Sequence, residues 1–98
     1  MEPFELATQP SAAWNVIRET VAALPRIRVV SEGEGYLHAE CESTLLGFVD
    51  DLELHLRSDQ GIVAVRSASR LGHSDFGVNR RRVESIRAAL VDCGVVES

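Results

Sequence analysis

The feature that most constrains the fold is an alternation of apolar and polar residues in the middle of the chain. In segment 50–57, leucine at every second position alternates with acidic residues and a histidine. Segment 36–43 repeats the pattern, with Leu37, Ala39 and Cys41 on one side. Because successive side chains of a strand point to opposite faces, both segments are predicted to be strands with one apolar face. Such a sheet needs a covering layer of helices.

Two further β-rich segments flank this central pair. Segment 26–32 places Ile27 and Val29 on one face, and a segment that starts at Ile62 places Val63 on the side of the core. Connections that each contain glycine separate the four segments. The sequence therefore predicts a four-stranded antiparallel meander.

Apolar residues recur with a helical period toward both ends of the chain. The first helix is predicted to begin at Ser11, as its N-cap, and to end before Pro25. The second is predicted from about Asn79 to Cys93. Apolar residues recur in both at spacings of three, four and three: Trp14, Ile17, Val21 and Leu24, then Val83, Ile86, Leu90 and Cys93.

These elements define the expected fold class, an α+β two-layer sandwich with the order αββββα. Since only one face of the meander is apolar, both helices must lie on that face. The length of 98 residues suits one domain. We expect a flexible N-terminal segment over residues 1–10, which are polar and irregular, and a single α+β domain over residues 11–98.

Composition and charge exclude several classes of protein. The net charge of −5 argues against nucleic acid as a partner, because phosphate binding needs a basic face. No apolar run approaches membrane-spanning length, and the N-terminus has no signal-peptide pattern. We therefore expect a cytoplasmic location by default. Cys41 and Cys93 form no CxxC motif and are interpreted as buried reduced side chains, so no cofactor or zinc site is expected.

The join between the fourth predicted strand and the second helix is chemically the richest part of the chain. Segment 66–82 holds five arginines. Asn79 suits the N-cap of the helix, and Asp75 or Ser74 suits a helix that starts a turn earlier. On the Asn79 reading, three arginines occupy the first turn, where cations oppose the helix macrodipole at about 0.3–1 kcal/mol each.

Two kinds of partner can offset this charge, and the sequence leaves both open. Acidic side chains of the chain itself are one, and Asp50-Asp51 is its one acidic doublet. A bound anion is the other, because free helix amides and guanidinium groups would converge on it. The candidate ligand-binding residues are Arg66, Ser67, Ser69, Arg70, Asn79, Arg80 and Arg82, with Asp50, Asp51 and Asp75 as supporting acids.

The polar face of the predicted sheet offers a weaker candidate. With tight hairpins in simple register, one row would hold Arg28, Glu40, Glu53 and Arg66, and the next would hold His38 and His55. His38, Glu40, Glu53 and His55 are therefore weak metal-ligand candidates. The adjacent arginines repel a cation, so a solvated, ion-paired surface or a contact with another subunit is the simpler interpretation.

No established catalytic motif is present. Ser67, Ser69 and Ser74 surround His73, with Asp75 two residues further on. Such close spacing on one loop rarely gives the geometry of nucleophile, base and orienting acid. We expect no catalytic residue in this set, and the sequence favours a protein that is not an enzyme.

Several motifs resemble one family. They are Leu24-Pro25-Arg26, Tyr36-Leu37-His38-Ala39-Glu40, Phe48-Val49-Asp50-Asp51, Val65-Arg66-Ser67-Ala68-Ser69-Arg70, Gly72, Ser74-Asp75, Gly77 and Asn79-Arg80-Arg81-Arg82. Over about Ala13 to Leu90 the chain resembles the domain of unknown function 1499 (DUF1499), found in many bacteria and in plastid-bearing eukaryotes.

The resemblance implies no activity, because the family has no established one. Many members carry an upstream Cys-Pro…Pro-Asn-Cys segment, often after a signal or membrane anchor, and neither stands in this sequence. For members of this kind the resemblance implies export or membrane anchoring instead of a cytoplasmic location. The positions that match the family motif overlap the join: Asp50, Asp51, Arg66, Ser67, Ser69, Arg70, Asp75, Asn79, Arg80 and Arg82.

Three functional hypotheses follow, in decreasing order of support from the sequence. The first is a small non-enzymatic domain that binds an anionic small molecule or an acidic protein segment at the join. The second is a structural or assembly module, such as a homodimer, that pairs through the open sheet face. The third is a metal-dependent or hydrolytic enzyme that uses His38, Glu40, Glu53 and His55, or His73 with a serine.

Overall fold

The computed structural model describes residues 1–42, 47–70 and 77–98. Within them two α-helices and five strands follow the order β1, α1, β2, β3, β4, β5, α2. Their bounds are β1 Phe4–Glu5, α1 Pro10–Ala22, β2 Ile27–Gly33, β3 Tyr36–Glu42, β4 Val49–Arg57, β5 Ile62–Ser69 and α2 Val78–Asp92, with a 3₁₀ turn at Ser58–Gln60.

The sheet is antiparallel, with the strand order β1-β5-β4-β3-β2. The α+β class is confirmed, and the prediction of four strands is wrong because β1 adds a fifth. This strand lies inside segment 1–10, where two residues are too short to show a period. Phe4 is fully buried and pairs with Val63, so the burial of one aromatic ring places the segment on the sheet.

The C-terminal tail pairs with the outer side of β1. Leu6 forms a bridge with Val96, and the Glu97 N–H donates to the Glu5 carbonyl at 2.8 Å. That edge of the sheet is therefore covered, whereas β2 forms the other edge. A β-bulge between Val29 and Ser31 interrupts β2, a common device on edge strands.

The core lies between one face of the sheet and both helices. The helix residues that were predicted to face inward are buried or packed against the core, except Cys93, which is exposed just past the end of α2. Ser11 does not cap α1: Gln9 is the N-cap, without a side-chain hydrogen bond, and Pro10 takes the first helical position.

The predicted register is correct at two of three strand pairs and wrong at the third. Arg28 faces Glu40, and Glu53 faces Arg66, as expected. Between β3 and β4, however, Glu40 faces Asp51. The connection over residues 43–48 is longer than a tight hairpin, so it does not fix the register; the two-residue shift keeps each side chain on its predicted face.

Within the described residues, no helix is long and apolar enough to cross a membrane.

Candidate functional site

The acidic doublet of β4 is the centre of the site, because its two carboxylates lie on opposite faces of the sheet. Asp50 points toward the helices and is 4% exposed. Asp51 points to the uncovered face, which we call the outer face. Alternation along a strand imposes this separation on any two neighbours. The two aspartates therefore meet different arginines.

On the helix side, Asp50 belongs to a buried polar network with β5 and α2. Arg82 donates from Nη2 to Asp50 Oδ2 at 3.1 Å, and from Nη1 to Asn79 Oδ1 at 2.6 Å and Ser67 Oγ at 3.2 Å. The Ser67 hydroxyl donates to Asn79 Oδ1 at 2.5 Å. The Asp50 and Arg82 side chains are only 6% and 13% exposed. This network ties the start of α2 to the middle of the sheet.

The same network corrects the prediction that Asn79 is the N-cap of α2. The helix begins at Val78, and its N-cap is Gly77, with φ +80° and no side-chain cap hydrogen bond. Asn79 lies inside the first turn and is 3% exposed. Its side-chain oxygen accepts from Ser67, which is distant in the chain, and from Arg82, one turn further along α2. These two hydrogen bonds, and not a local N-cap hydrogen bond, therefore determine the position of the Asn79 side chain.

On the outer face, Asp51 is held by Arg70 and His38. Arg70 donates from Nε to Asp51 Oδ2 at 2.9 Å and from Nη2 to Asp51 Oδ1 at 2.8 Å, a two-point contact. Its Nη2 also donates to Glu40 at 2.6 Å, and Arg28 donates to the other oxygen of Glu40 at 2.6 Å. His38 Nε2 lies 2.7 Å from Asp51 Oδ1. These five side chains form one ion-paired cluster across β2 to β5.

These contacts change the acidity of the outer-face carboxyl groups. Hydrogen bonds from Arg70, and then from His38, hold the pKa of Asp51 well below its usual range. Arg70 and Arg28 lower the pKa of Glu40 in the same way. The same bonds raise the pKa of Arg70, with Asp51 as the larger cause. All three groups therefore stay charged across the neutral range.

A second outer-face group forms around Glu53. The Tyr36 hydroxyl donates to Glu53 Oε1 at 2.8 Å, and Arg66 donates to Oε2 at 3.0 Å. These bonds lower the pKa of Glu53, that from Tyr36 most, and the bond to Glu53 raises the pKa of Tyr36. Arg66 is 64% exposed, so this pair is more solvated than that of Asp50.

The predicted ligand residues are therefore divided between surfaces. Ser67, Asn79 and Arg82 lie in the buried network, Arg66 and Arg70 lie on the outer face, and Ser69 pairs with Asp50 in the sheet ladder. Arg80 is exposed, beside Met1, Glu2 and Glu84. Within the ranges 1–42, 47–70 and 77–98, the Arg80 side chain has no ion pair or hydrogen bond. Asp75, His73 and Ser74 lie outside the described residues.

The four weak metal-ligand candidates do not have the neighbours that the sequence predicted for them. Glu40 is bound by two arginines and Glu53 by Tyr36 and Arg66. His38 faces Glu53 in the ladder, and His55 faces Tyr36 instead of standing in a row with His38. Among the described residues no group of three or more His, Cys, Asp or Glu side chains could hold a metal ion.

Sequence reasoning missed Tyr36 and Arg26. Tyr36 lies on the polar face and bonds Glu53, a contact that only the true register of β3 and β4 reveals. Arg26 adopts φ +62°, the one positive φ of a described non-glycine residue. The motif Leu24-Pro25-Arg26 gave no signal for this conformation, because arginine rarely adopts it.

The fold and the two networks define a class: a small two-layer α+β domain with one polar network under α2 and another on the outer face of the sheet. The chain belongs to the family described as protein of unknown function (DUF1499), whose model matches residues 1–90. No curated protein and no solved structure matches the chain.

Proposed function

We propose that this chain is a small non-enzymatic binding domain that takes an anionic group at the β5–α2 join. The observation that supports it is the difference among the arginines there. Arg70 and Arg82 already bond carboxylates of the domain, whereas Arg80 is exposed without such a partner among the described residues. The networks then act as a scaffold, and Arg80 supplies the charge for the ligand.

The electrostatics of the α2 N-terminus favour an anion. The first turn contains no acidic residue, and the N-cap Gly77 has no side-chain cap hydrogen bond. A guanidinium nitrogen of Arg81 lies 3.1 Å from the position that a Cβ of Gly77 would take, so a second cation stands at the positive end of the helix. An anionic group bound there would offset the unfavourable charge–dipole interaction of Arg80, about 0.3–1 kcal/mol.

The partner class follows from this chemistry. An anion held by exposed guanidinium and helix donors can be a small molecule with a phosphate or carboxylate, or an acidic protein segment. The net charge of −5 opposes a long polyanion such as nucleic acid. The site therefore suits a single anionic group.

Thermal unfolding with increasing inorganic phosphate, at constant ionic strength against chloride, tests this proposal. We expect a saturating rise in Tm, because a ligand that binds only the native state stabilises by about 2.7 kcal/mol at a hundredfold excess over Kd. Arg80→Gln should abolish the rise. Arg57→Gln is the matched control, since Arg57 is an exposed arginine at the far end of β4.

Two results would contradict the proposal. One is the absence of any phosphate-specific rise in the unaltered protein. The other is an equal rise in the Arg80→Gln variant, which would place the anion elsewhere.

Assembly through the sheet is the second candidate. The observation that favours it is the edge strand β2, where Val30 is 41% exposed. Sedimentation of the purified protein at micromolar concentration should then show a dimer, which Val30→Lys dissociates, because charge on an edge strand opposes pairing. A strict monomer counts against this function.

A further inference from the structure

A groove separate from the Arg80 surface runs along the other side of α2. It lies between the α1–β2 turn, the end of β3 and the first turns of α2, with a volume of about 400 Å³. That volume is in the range of small-molecule sites, about 300–1,000 Å³. Six of its described lining residues are apolar: Leu24, Pro25, Ile27, Cys41, Val78 and Ile86.

Arg26 stands at the rim of this groove in a costly backbone conformation. Its φ of +62° is left-handed, where the Cβ of a non-glycine residue crowds the following carbonyl. The carbonyl of Arg26 accepts the Glu42 N–H at 2.9 Å, which fixes the turn. Glycine would adopt this φ without strain. A strained residue held by its surroundings points to a function of the side chain.

The Arg26 side chain has no structural partner among the described residues. It is exposed, and in the part of the chain that the structure describes its guanidinium makes no ion pair or hydrogen bond. Arg26 separates the groove from a neighbouring cleft that contains Arg28, but Arg28 is paired with Glu40 at 2.6 Å. Within the described residues Arg28 therefore has an ion-pair partner, whereas Arg26 has none.

Two of the polar residues inside the groove, Ser85 and Arg82, suit an anion. Ser85 is exposed on α2 and offers a hydroxyl. Arg82 lies in the lining, and its three side-chain bonds to described residues use its Nη atoms. Glu42 is the acidic residue among the described lining residues, and its charge opposes an anion at its own position.

We propose that this groove binds a small amphiphilic carboxylate, an alkyl chain with one anionic head. The carboxylate meets the Arg26 guanidinium at the rim, and the alkyl chain lies on Leu24, Ile27 and Val78, which are partly exposed. Burial of the chain supplies the apolar contribution, and the uncompensated rim charge selects the anionic head. The site does not depend on the proposed Arg80 site, because Arg80 lies with Met1 and Glu2 on another face of α2.

Titration calorimetry with octanoate tests the proposal, with octanol and acetate as probes that lack the charge or the chain. We expect saturable octanoate binding in the full chain. Octanol and acetate should bind at least tenfold more weakly. Arg26→Gln should weaken octanoate binding at least tenfold, whereas the control Arg28→Gln should leave it unchanged. Ser85→Phe should block binding by filling the groove.

Arg26→Gly separates binding from folding. The variant should have a higher Tm than the unaltered protein, because glycine relieves the strain, and it should lose octanoate binding. The proposal is overturned if octanoate does not saturate, if octanol binds as tightly, or if Arg26→Gln or Arg26→Gly binds octanoate unchanged. Arg80→Gln should not affect octanoate binding, so failure here is distinguishable from failure of the Arg80 site.

Discussion

Asp50 and Asp51 are neighbours in sequence, both pair with arginine, and differ mainly in their surroundings. Asp50 and Arg82 lie under α2, nearly out of water, whereas Asp51 and Arg70 lie on a solvated sheet face. A buried charge that loses its partner has no water to replace it, so the inner pair is costly to break. An exposed charge regains hydration, so the outer pair is worth little. Loss of one partner of an aspartate–arginine pair is therefore expected to lower the free energy of unfolding more on the helix side than on the outer face.

The largest change in unfolding free energy is expected when one partner of the Asp50–Arg82 pair is removed. Arg82→Ala leaves Asp50 buried and uncompensated, and Asp50→Ala leaves Arg82 in the same state. We expect each variant to lose about 3–5 kcal/mol of unfolding free energy, measured by urea denaturation.

The double variant Asp50→Leu/Arg82→Met is the control for this loss. It should be more stable than either Ala variant, because an apolar pair leaves no buried charge unpaired. If Asp50→Ala costs no more than Asp51→Ala, the contrast between the two faces is wrong.

An intermediate effect is expected from Asn79→Ala. The substitution removes the oxygen that accepts from Ser67 and Arg82, so the loss should be about 1–3 kcal/mol. Asn79→Ser is informative beside it, because serine is as good an N-cap as asparagine but cannot reach both donors. A fully stable Asn79→Ser variant would restore the capping interpretation.

A smaller effect, dependent on pH, is expected from Asp51→Asn. Arg70 lowers the pKa of Asp51 in the folded state. The contribution of ionised Asp51 to the free energy of unfolding is therefore present above its ordinary pKa of about 4, and it disappears as the pH falls through the lowered value. At neutral pH the variant should lose about 0.2–1 kcal/mol. Urea denaturation from neutral pH to about pH 3 should show a shallower loss of stability in the variant than in the unaltered protein. Parallel curves would contradict this assignment.

The smallest effect is expected from Arg66→Gln. Arg66 is 64% exposed, and its partner Glu53 keeps the hydrogen bond from Tyr36. Unfolding free energy should change by less than about 0.5 kcal/mol, and added salt should remove the difference. A larger loss would mean that the outer face is covered in solution.

The sequence predicted the elements that bury a continuous apolar stripe. Alternation in β3 and β4 and helical spacing in α1 and α2 gave the α+β class and the covered face, because both periods are read directly from the chain. β1 was missed because its placement depends on the single ring of Phe4, which meets Val63 far along the chain. A contact of that kind leaves no local pattern.

The candidate site was predictable in composition and not in arrangement. The sequence nominated Asp50, Asp51, Arg70 and Arg82 as one group. Which aspartate meets which arginine depends on strand parity and on the β3–β4 register, and the connection over residues 43–48 does not fix that register. Asn79 was assigned to a cap because local preference was the only information available.

The pairing of the C-terminal tail with β1 has a consequence for chain connectivity. Since Leu6 faces Val96, the two ends of the chain are neighbours in space. A circular permutant that joins them through a short flexible linker and opens the turn at Ser58–Gln60 would retain every strand pairing and both polar networks. We expect it to fold, which would show that the architecture does not depend on the order in which the strands are synthesised.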